Sequence, residues 1–283
     1  MLYFMKYIDL HVHSTCSDGT FTPSELVAYA VQKNLSALAL TDHDTIDGLE
    51  TARTAAKKLG LELVSGIEFS TEHHGKEIHI LGLDIDPKQQ TFTEQLKSLQ
   101  EKRQNRNLEM AERLRTRAGI PITLENLKTA YGNGVLTRAH FGRWLFEQGY
   151  VSSVSDAFTR YIGNHCPCFV PQKSMNPKQA ISLILQAKGI PILAHPLLYH
   201  LTRTQLQALV LDLKEAGLLG IEALYSTHTA LEERMLRHLA KKQNLKISGG
   251  SDFHGTNKPL IELGCGKGTL KIPYEILTQL REE

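Results

Sequence analysis

The stretch IDLHVHSTCSDGTFTPSELV, residues 8–27, ends an apolar run with two histidines one residue apart and then places an aspartate, Asp18, in a Ser/Gly-rich turn. Residues two apart on an extended strand face the same side, so His11 and His13 point at one object. A metal ion is the natural candidate, since imidazole is a common ligand; two ordinary polar residues at a strand end are the alternative. The second half of the stretch opens a helix. Thr22 sits as an N-cap, Pro23 takes the first helical position and Glu25 stands three residues after the cap, so the chain passes from strand to helix.

The same alternation continues outward. Seven segments read as strands: YIDLHVH, ALALTDHD, ELVSGIEFS, EIHILGLDI, IPILAHP, GIEALYS and LKISGGSDFH. Most are separated by helical patterns, such as DGLETARTAAKKLG, which stops at Gly60. Repeated βα units imply a parallel sheet or a closed barrel. The third and fourth segments are joined only by TEHHGK, which suits a hairpin, with His73 and His74 as solvated turn residues. Between Pro87 and Met175 the strand pattern lapses into mainly helical sequence. The expected organisation is therefore a barrel from residues 1–86 and 176–283 with a helical insertion, 87–175, packed as a cap.

Composition narrows the class. The 283 residues are 41% hydrophobic and 22% charged, ordinary for a soluble protein. With 32 basic against 30 acidic residues there is no electrostatic footprint for long duplex nucleic acid, although short or single nucleotides remain open. No stretch has the pattern of a signal peptide, and none approaches the roughly 18 apolar residues of a membrane span. The four cysteines form neither a dense framework nor a Cys-x-x-Cys pair, so the expectation is a cytoplasmic protein with reduced thiols. HCPC, residues 165–168, lacks a fourth ligand at zinc-site spacing and reads as a loop with two plain thiols.

The predicted strand ends carry residues that core packing would not choose. His11 and His13 end the first strand, Asp42, His43 and Asp44 the second, Glu68 the third, His195 the fifth, and Asp252 and His254 the seventh, while His79 lies among apolar neighbours in the fourth. Buried charges are costly without partners. So many imidazoles and carboxylates converging at one end of a barrel need cations, and the supply of ligands fits two or three ions better than one. Mixed histidine and carboxylate ligation without thiolate suits Mn, Fe or Zn.

DLHVHS, TDHD, GIEFS, HILG, AHP and GSDFH, in this order, resemble the motifs of the polymerase and histidinol phosphatase (PHP) superfamily over nearly the whole chain. HSTCSDGTFTPSELV, with Asp18 after the first motif, is similar to a bacterial subgroup containing nucleoside 3′,5′-bisphosphate phosphatases and 5′ to 3′ exoribonucleases on short RNA. The resemblance implies an α/β fold, a distorted seven-stranded (β/α) barrel with a trinuclear site. One ion would be held by His11, His13, Glu68 and Asp252, a second by Glu68, His79 and His195, and a third by Asp18, His43 and His254. Asp42 and Asp44 are then read as groups fixing His43 and neighbouring loops. Asp9 has the same reading or a purely structural one.

Such a cluster lowers the pKa of a water and neutralises charge on a phosphoryl group, so phosphoester hydrolysis by a metal-bridging hydroxide is the natural reaction, with Glu68, Asp252 and His195 at its centre. In the insertion, Leu96, Leu99, Arg103, Asn107, Met110, Leu114 and Ala118 share one helical face. Arg103 and Asn107 interrupt its apolar stripe and either meet a substrate phosphate or base, or, for Arg103, snorkel to water. Arg138, opening the next helix in LTRAHF, is the stronger phosphate ligand, and His140 beside it is a packing residue. His228, after the sixth strand, could contact substrate or protonate a leaving group.

The favoured activity is conversion of a nucleoside 3′,5′-bisphosphate to the 5′-monophosphate and phosphate. The alternative is a 5′ to 3′ exoribonuclease on short 5′-phosphorylated single-stranded RNA. A histidinol-phosphate phosphatase, amide hydrolysis and a noncatalytic metal-binding module fit less well, and neither duplex nucleic acid nor membrane is an expected partner.

Overall fold

All seven expected strands form, and their order around the sheet matches their order in the chain. The computed structural model of the protein describes residues 5–171 and 175–282. β1 (Tyr7–Val12) leads through the turn to α1 (Pro23–Gln32), where Thr22 and Glu25 make the reciprocal capping box that the sequence calls for. β2 (Leu35–Leu40) is followed by α2 (Leu49–Leu59), which ends on Gly60 in the left-handed conformation, φ 74°. β3 (Glu62–His73) and β4 (Lys76–Leu83) form the hairpin.

The insertion then supplies α3 (Gln90–Ala118), α4 (Leu124–Tyr131), α5 (Arg138–Glu147) and the single turn α6 (Val154–Ala157). The βα alternation resumes with α7 (Pro177–Gln186), β5 (Ile190–Leu193), α8 (Arg203–Glu215), β6 (Gly220–Tyr225), α9 (Ala230–Lys242), β7 (Lys246–Gly250) and α10 (Glu275–Arg281). Among the described residues no helix is long and apolar enough to cross a membrane.

The seven strands pair in the order β1 to β7. β4 runs antiparallel to both β3 and β5, and the other pairs are parallel. Beyond the last strand residues the two edges meet: Asp252 N–H donates to the His11 carbonyl at 2.8 Å and His13 N–H to that of Phe253 at 3.0 Å. The sheet is a nearly closed barrel. This seam explains Gly250, because a Cβ there would lie 2.1 Å from the His11 Cβ. The parallel strands all point their carboxyl ends at one mouth. β4 points the other way, so it is the beginning of β4 that reaches the mouth, and that is where His79 sits.

Two separate hydrophobic clusters lie under this architecture. One fills the barrel and the helices around it, and it takes in Phe92, Leu96 and Met175. The other, from Met110 to Val170, belongs to the insertion alone. The cap therefore has its own core, while the first turns of α3 pack with the barrel. Arg103, Arg106 and Asn107 occupy the stretch of α3 between the two cores.

Candidate metal centre and anion cavity

At the mouth, five imidazoles converge on one carboxylate. Glu68 Oε1 lies 2.9 Å from both His79 Nδ1 and His195 Nε2. Its Oε2 lies 3.2 Å from His11 Nε2, 3.1 Å from His13 Nε2 and 3.3 Å from His43 Nδ1. Two further carboxylates flank this centre. Asp18 Oδ1 is 3.2 Å from His254 Nε2 and 3.7 Å from His13 Nδ1. Asp252 Oδ1 is 3.3 Å from His254 Nδ1, 3.5 Å from His13 Nε2 and 3.7 Å from His11 Nε2.

All nine residues expected as ligands are thus in one cluster, and they group as His13, Asp18, His43 and His254; His11, Glu68 and His195; His11, His13 and Asp252; and His43, Glu68 and His79. No cysteine belongs to any of these groups.

The donor set fits divalent ions. His11 Nε2, His13 Nε2, His79 Nε2, His195 Nδ1 and Asp18 Oδ1 are buried with no hydrogen-bond partner, an expensive arrangement unless a cation takes them. Several histidines have their other nitrogen fixed. Nδ1 of His11 is 2.9 Å from Glu222, and Nδ1 of His254 is 2.9 Å from the Asp252 carbonyl. This leaves Nε2 as the inward lone pair, the usual arrangement of a ligating imidazole.

Burial opposes charge throughout, yet the three carboxylates are held well below the usual range because His254 and His43 face Asp18, His11, His43 and His79 face Glu68, and Lys258 and His254 face Asp252. Burial and the neighbouring His254 keep His13 well below an ordinary histidine, and burial brings His43 down to about 4. These two are therefore neutral imidazoles at physiological pH, the form that binds metal.

Backbone geometry reinforces the placement. His195, Asp252 and Asp44 adopt positive φ angles of 23°, 58° and 51°. For His195 in particular this is a strained conformation, of the kind held in place at functional sites at a cost of about 1–3 kcal/mol.

Glu222 is a residue that sequence reasoning missed. Fully buried on β6, it holds His11 and also accepts the His195 N–H at 2.7 Å. An acidic residue inside the apolar run GIEALY was the available signal. Tyr225 and Lys258 were missed as well: both donate to Asp252 Oδ2, at 2.7 and 2.6 Å, and leave Oδ1 to the cluster.

Asp42 and Asp44 fix neighbouring segments as expected, but neither carboxylate hydrogen-bonds the His43 ring, and that part of the expectation needs correction. Asp42 accepts from the Ser14 N–H and from the Ser14 and Ser17 hydroxyls, and so fixes the loop after β1. Asp44 accepts from the Ser70 N–H and pairs with Arg103. Asp9 ties Ser251 and Gly264 through their N–H groups at 2.8 Å, a structural role at the seam.

A cavity of about 290 Å³ opens on the cluster through Asp18, His43, His79 and His195, and its other wall carries Arg103, Arg106 and Arg138. Arg103 pairs with Asp44, and Arg138 with Glu77. Arg106 has no carboxylate partner among the described residues, and its Nε is buried without a hydrogen bond. Burial and the adjacent guanidiniums push Arg103 down to about 9 and Arg106 to about 10. Crowded cations of this kind are relieved by an anion.

Asn107 stands outside this wall. It donates to the Leu136 carbonyl at 2.9 Å and joins α3 to the loop before α5, because on a helix position 106 rather than 107 turns toward the mouth here. His140 packs as expected, closing the cap of α5 through the Thr137 N–H at 3.0 Å. His228 turns its Nδ1 to the Ala223 carbonyl at 3.0 Å and lies against Tyr225, one side chain away from Asp252 and outside the cavity wall.

Residues 9–162 match the family described as the PHP domain. The chain is 41% identical over 249 residues to a 5′-3′ exoribonuclease of Haemophilus influenzae, covering 88% of this chain and 90% of that protein. It is 35% identical over 251 residues to a 3′,5′-nucleoside bisphosphate phosphatase of Chromobacterium violaceum, covering 88% of each. A solved structure from Bifidobacterium adolescentis, described as a candidate metal-dependent phosphoesterase, superposes with a TM-score of 0.83 at 27% identity and covers 97% of this chain and 95% of the other.

Proposed function

The chain belongs to the PHP domain family, and from that premise we propose that it is a divalent-metal-dependent phosphoesterase that removes the 3′-phosphate of a nucleoside 3′,5′-bisphosphate. The observation that carries the reading is that one cavity joins the nine-residue cluster to three arginines. A ligand with two phosphates some distance apart suits both ends at once. His11, His13, Asp18, His43, Glu68, His79, His195, Asp252 and His254 would hold two or three ions of Mn, Fe or Zn type. When bound, such ions lower the pKa of a water and offset the charge developing on the phosphoryl group.

The chain's own groups do the positioning. Glu222 orients His11 and the backbone of His195, while Tyr225 and Lys258 fix Asp252. Thr137 on the cap donates to Asp18 Oδ2 at 3.1 Å. Arg106 and Arg138 bind the phosphate that does not react, so its binding energy holds the ester in line.

The second reading, stepwise 5′ to 3′ cleavage of short RNA, is favoured by the likeness to the H. influenzae exoribonuclease. In that case the same arginines would hold a terminal 5′-phosphate. Adenosine 3′,5′-bisphosphate and a 5′-phosphorylated tetranucleotide, assayed side by side with Mn²⁺, test the choice. Phosphate and 5′-AMP from the first, with the oligonucleotide left largely intact, is the expected result. Release of 5′-mononucleotides at comparable efficiency would replace the phosphatase reading with the nuclease one, and inertness toward both would overturn the nucleotide assignment.

A further inference from the structure

Beside the arginines lies a second cavity of about 170 Å³, lined by none of the nine cluster residues. It shares Ser70, Glu77, Arg106 and Arg138 with the larger cavity, so the two adjoin across these side chains. We propose that this second cavity takes the nucleobase of the substrate, an assignment that rests on the nucleotide reading above.

The wall has the chemistry of base recognition. Phe169 and Val170 give an apolar face. The Arg138 guanidinium lies between two rings, 5.8 Å from the centroid of Phe158 in the larger cavity and 5.6 Å from that of Phe169 in the smaller. Among the described residues no aromatic ring stacks on Phe169, which is only half-buried. An aromatic ring beside a guanidinium plane is a platform for a nucleobase.

Asn164 supplies an edge. Its amide donates to the Gly75 carbonyl and accepts from Arg138, both at 3.4 Å, longer than the usual 2.7–3.2 Å and therefore readily exchanged for a ligand's donor and acceptor. Carboxamides pair with the paired donor and acceptor of a base edge. A further phosphate is opposed by Glu72 and Glu77, which line the same space. A plain alkyl group would leave the Asn164 amide without use. Arg106 and Arg138 on the shared wall then stand where the 5′-phosphate of the same nucleotide would lie, between base and metal cluster.

Binding of 5′-AMP and of ribose 5-phosphate to the metal-loaded, full-length protein, measured by titration calorimetry, separates the base from the phosphate. The wild-type protein should bind 5′-AMP about tenfold or more tightly than ribose 5-phosphate, the usual scale of a stacked base. Phe169→Ala should remove most of that advantage and leave ribose 5-phosphate within about twofold. Asn164→Ala, at an exposed position where folding is not at stake, should reduce the advantage in the same sense.

Equal affinity of the two ligands for wild type, or equal weakening of both by Phe169→Ala, would overturn the base site while leaving the phosphate reading intact. Failure of both ligands to bind would overturn the phosphate reading and the base site with it.

Discussion

Glu68 concentrates the electrostatics of the site in one side chain. Five imidazoles surround it, and burial leaves it 1% exposed. Glu68→Gln keeps the volume but removes the charge and turns one acceptor into a donor, which faces the histidine lone pairs. The variant should fold and lose about a hundredfold or more in kcat, because an error in the placement of a catalytic ion costs several kcal/mol of barrier. Retention of more than about a tenth of wild-type kcat, with normal metal content, would argue that Glu68 is structural. Glu222→Gln tests the layer behind: a carboxamide keeps the volume but offers one acceptor to the two donors of His11 and His195, so one contact is lost with the charge, and metal affinity should fall about 10- to 100-fold in a chelator competition. If affinity stays unchanged, packing alone orients His11.

At the scale of elements, polar links join the cap to the barrel, among them Arg103 with Asp44, Arg138 with Glu77 and Asn164 with the Gly75 carbonyl, and two of them converge on Asp18. Thr137, at the N-terminus of α5, reaches Asp18, and Asn257 donates to the Asp18 carbonyl at 2.7 Å while pairing with Arg143 of α5. Thr137→Val is nearly isosteric and removes only the hydroxyl. It should leave thermal stability within about 1 kcal/mol and weaken occupancy of the ion nearest Asp18, read by elemental analysis after dialysis. Unchanged metal content would mean that Asp18 is fixed by its own loop. α3 makes a different contribution, since Arg106 comes from its middle, between the two cores. Arg106→Ala should raise KM for adenosine 3′,5′-bisphosphate more than it lowers kcat, the pattern for a group that binds the phosphate that does not react. Equal kinetics for variant and wild type would remove Arg106 from the anion site.

At the scale of the whole molecule, metal and stability are linked. Ions that bind the folded chain at about a thousand times their Kd add about 4 kcal/mol. For a chain of this size each kcal/mol moves Tm by about 2–4 °C, so chelation should lower Tm by roughly ten degrees without abolishing the fold, whose barrel and cap cores stand apart from the site. An identical Tm with and without chelator would contradict a cluster built for cations.

The sequence by itself determined the seven strands, the capped helix after β1 and the hairpin to β4, because local periodicity and turn chemistry act over a few residues; histidines and carboxylates at strand ends marked the mouth, and the resemblance of the ordered motifs to the PHP superfamily picked the nine residues of the cluster from among them. The tertiary structure alone decided which carboxylate each histidine meets, that Asp44 spends its charge on Arg103, and that Glu222 on a strand far along the chain stands behind His11. It also decided that Arg106 rather than Asn107 faces the cavity: residues one apart on a helix differ by about 100°, and the way α3 is seated between two cores sets which of them turns to the mouth. Such pairings depend on barrel closure and helix docking, which bring together groups distant in sequence; the local pattern can mark a residue such as Glu222 as unusual in its strand but cannot name its partner.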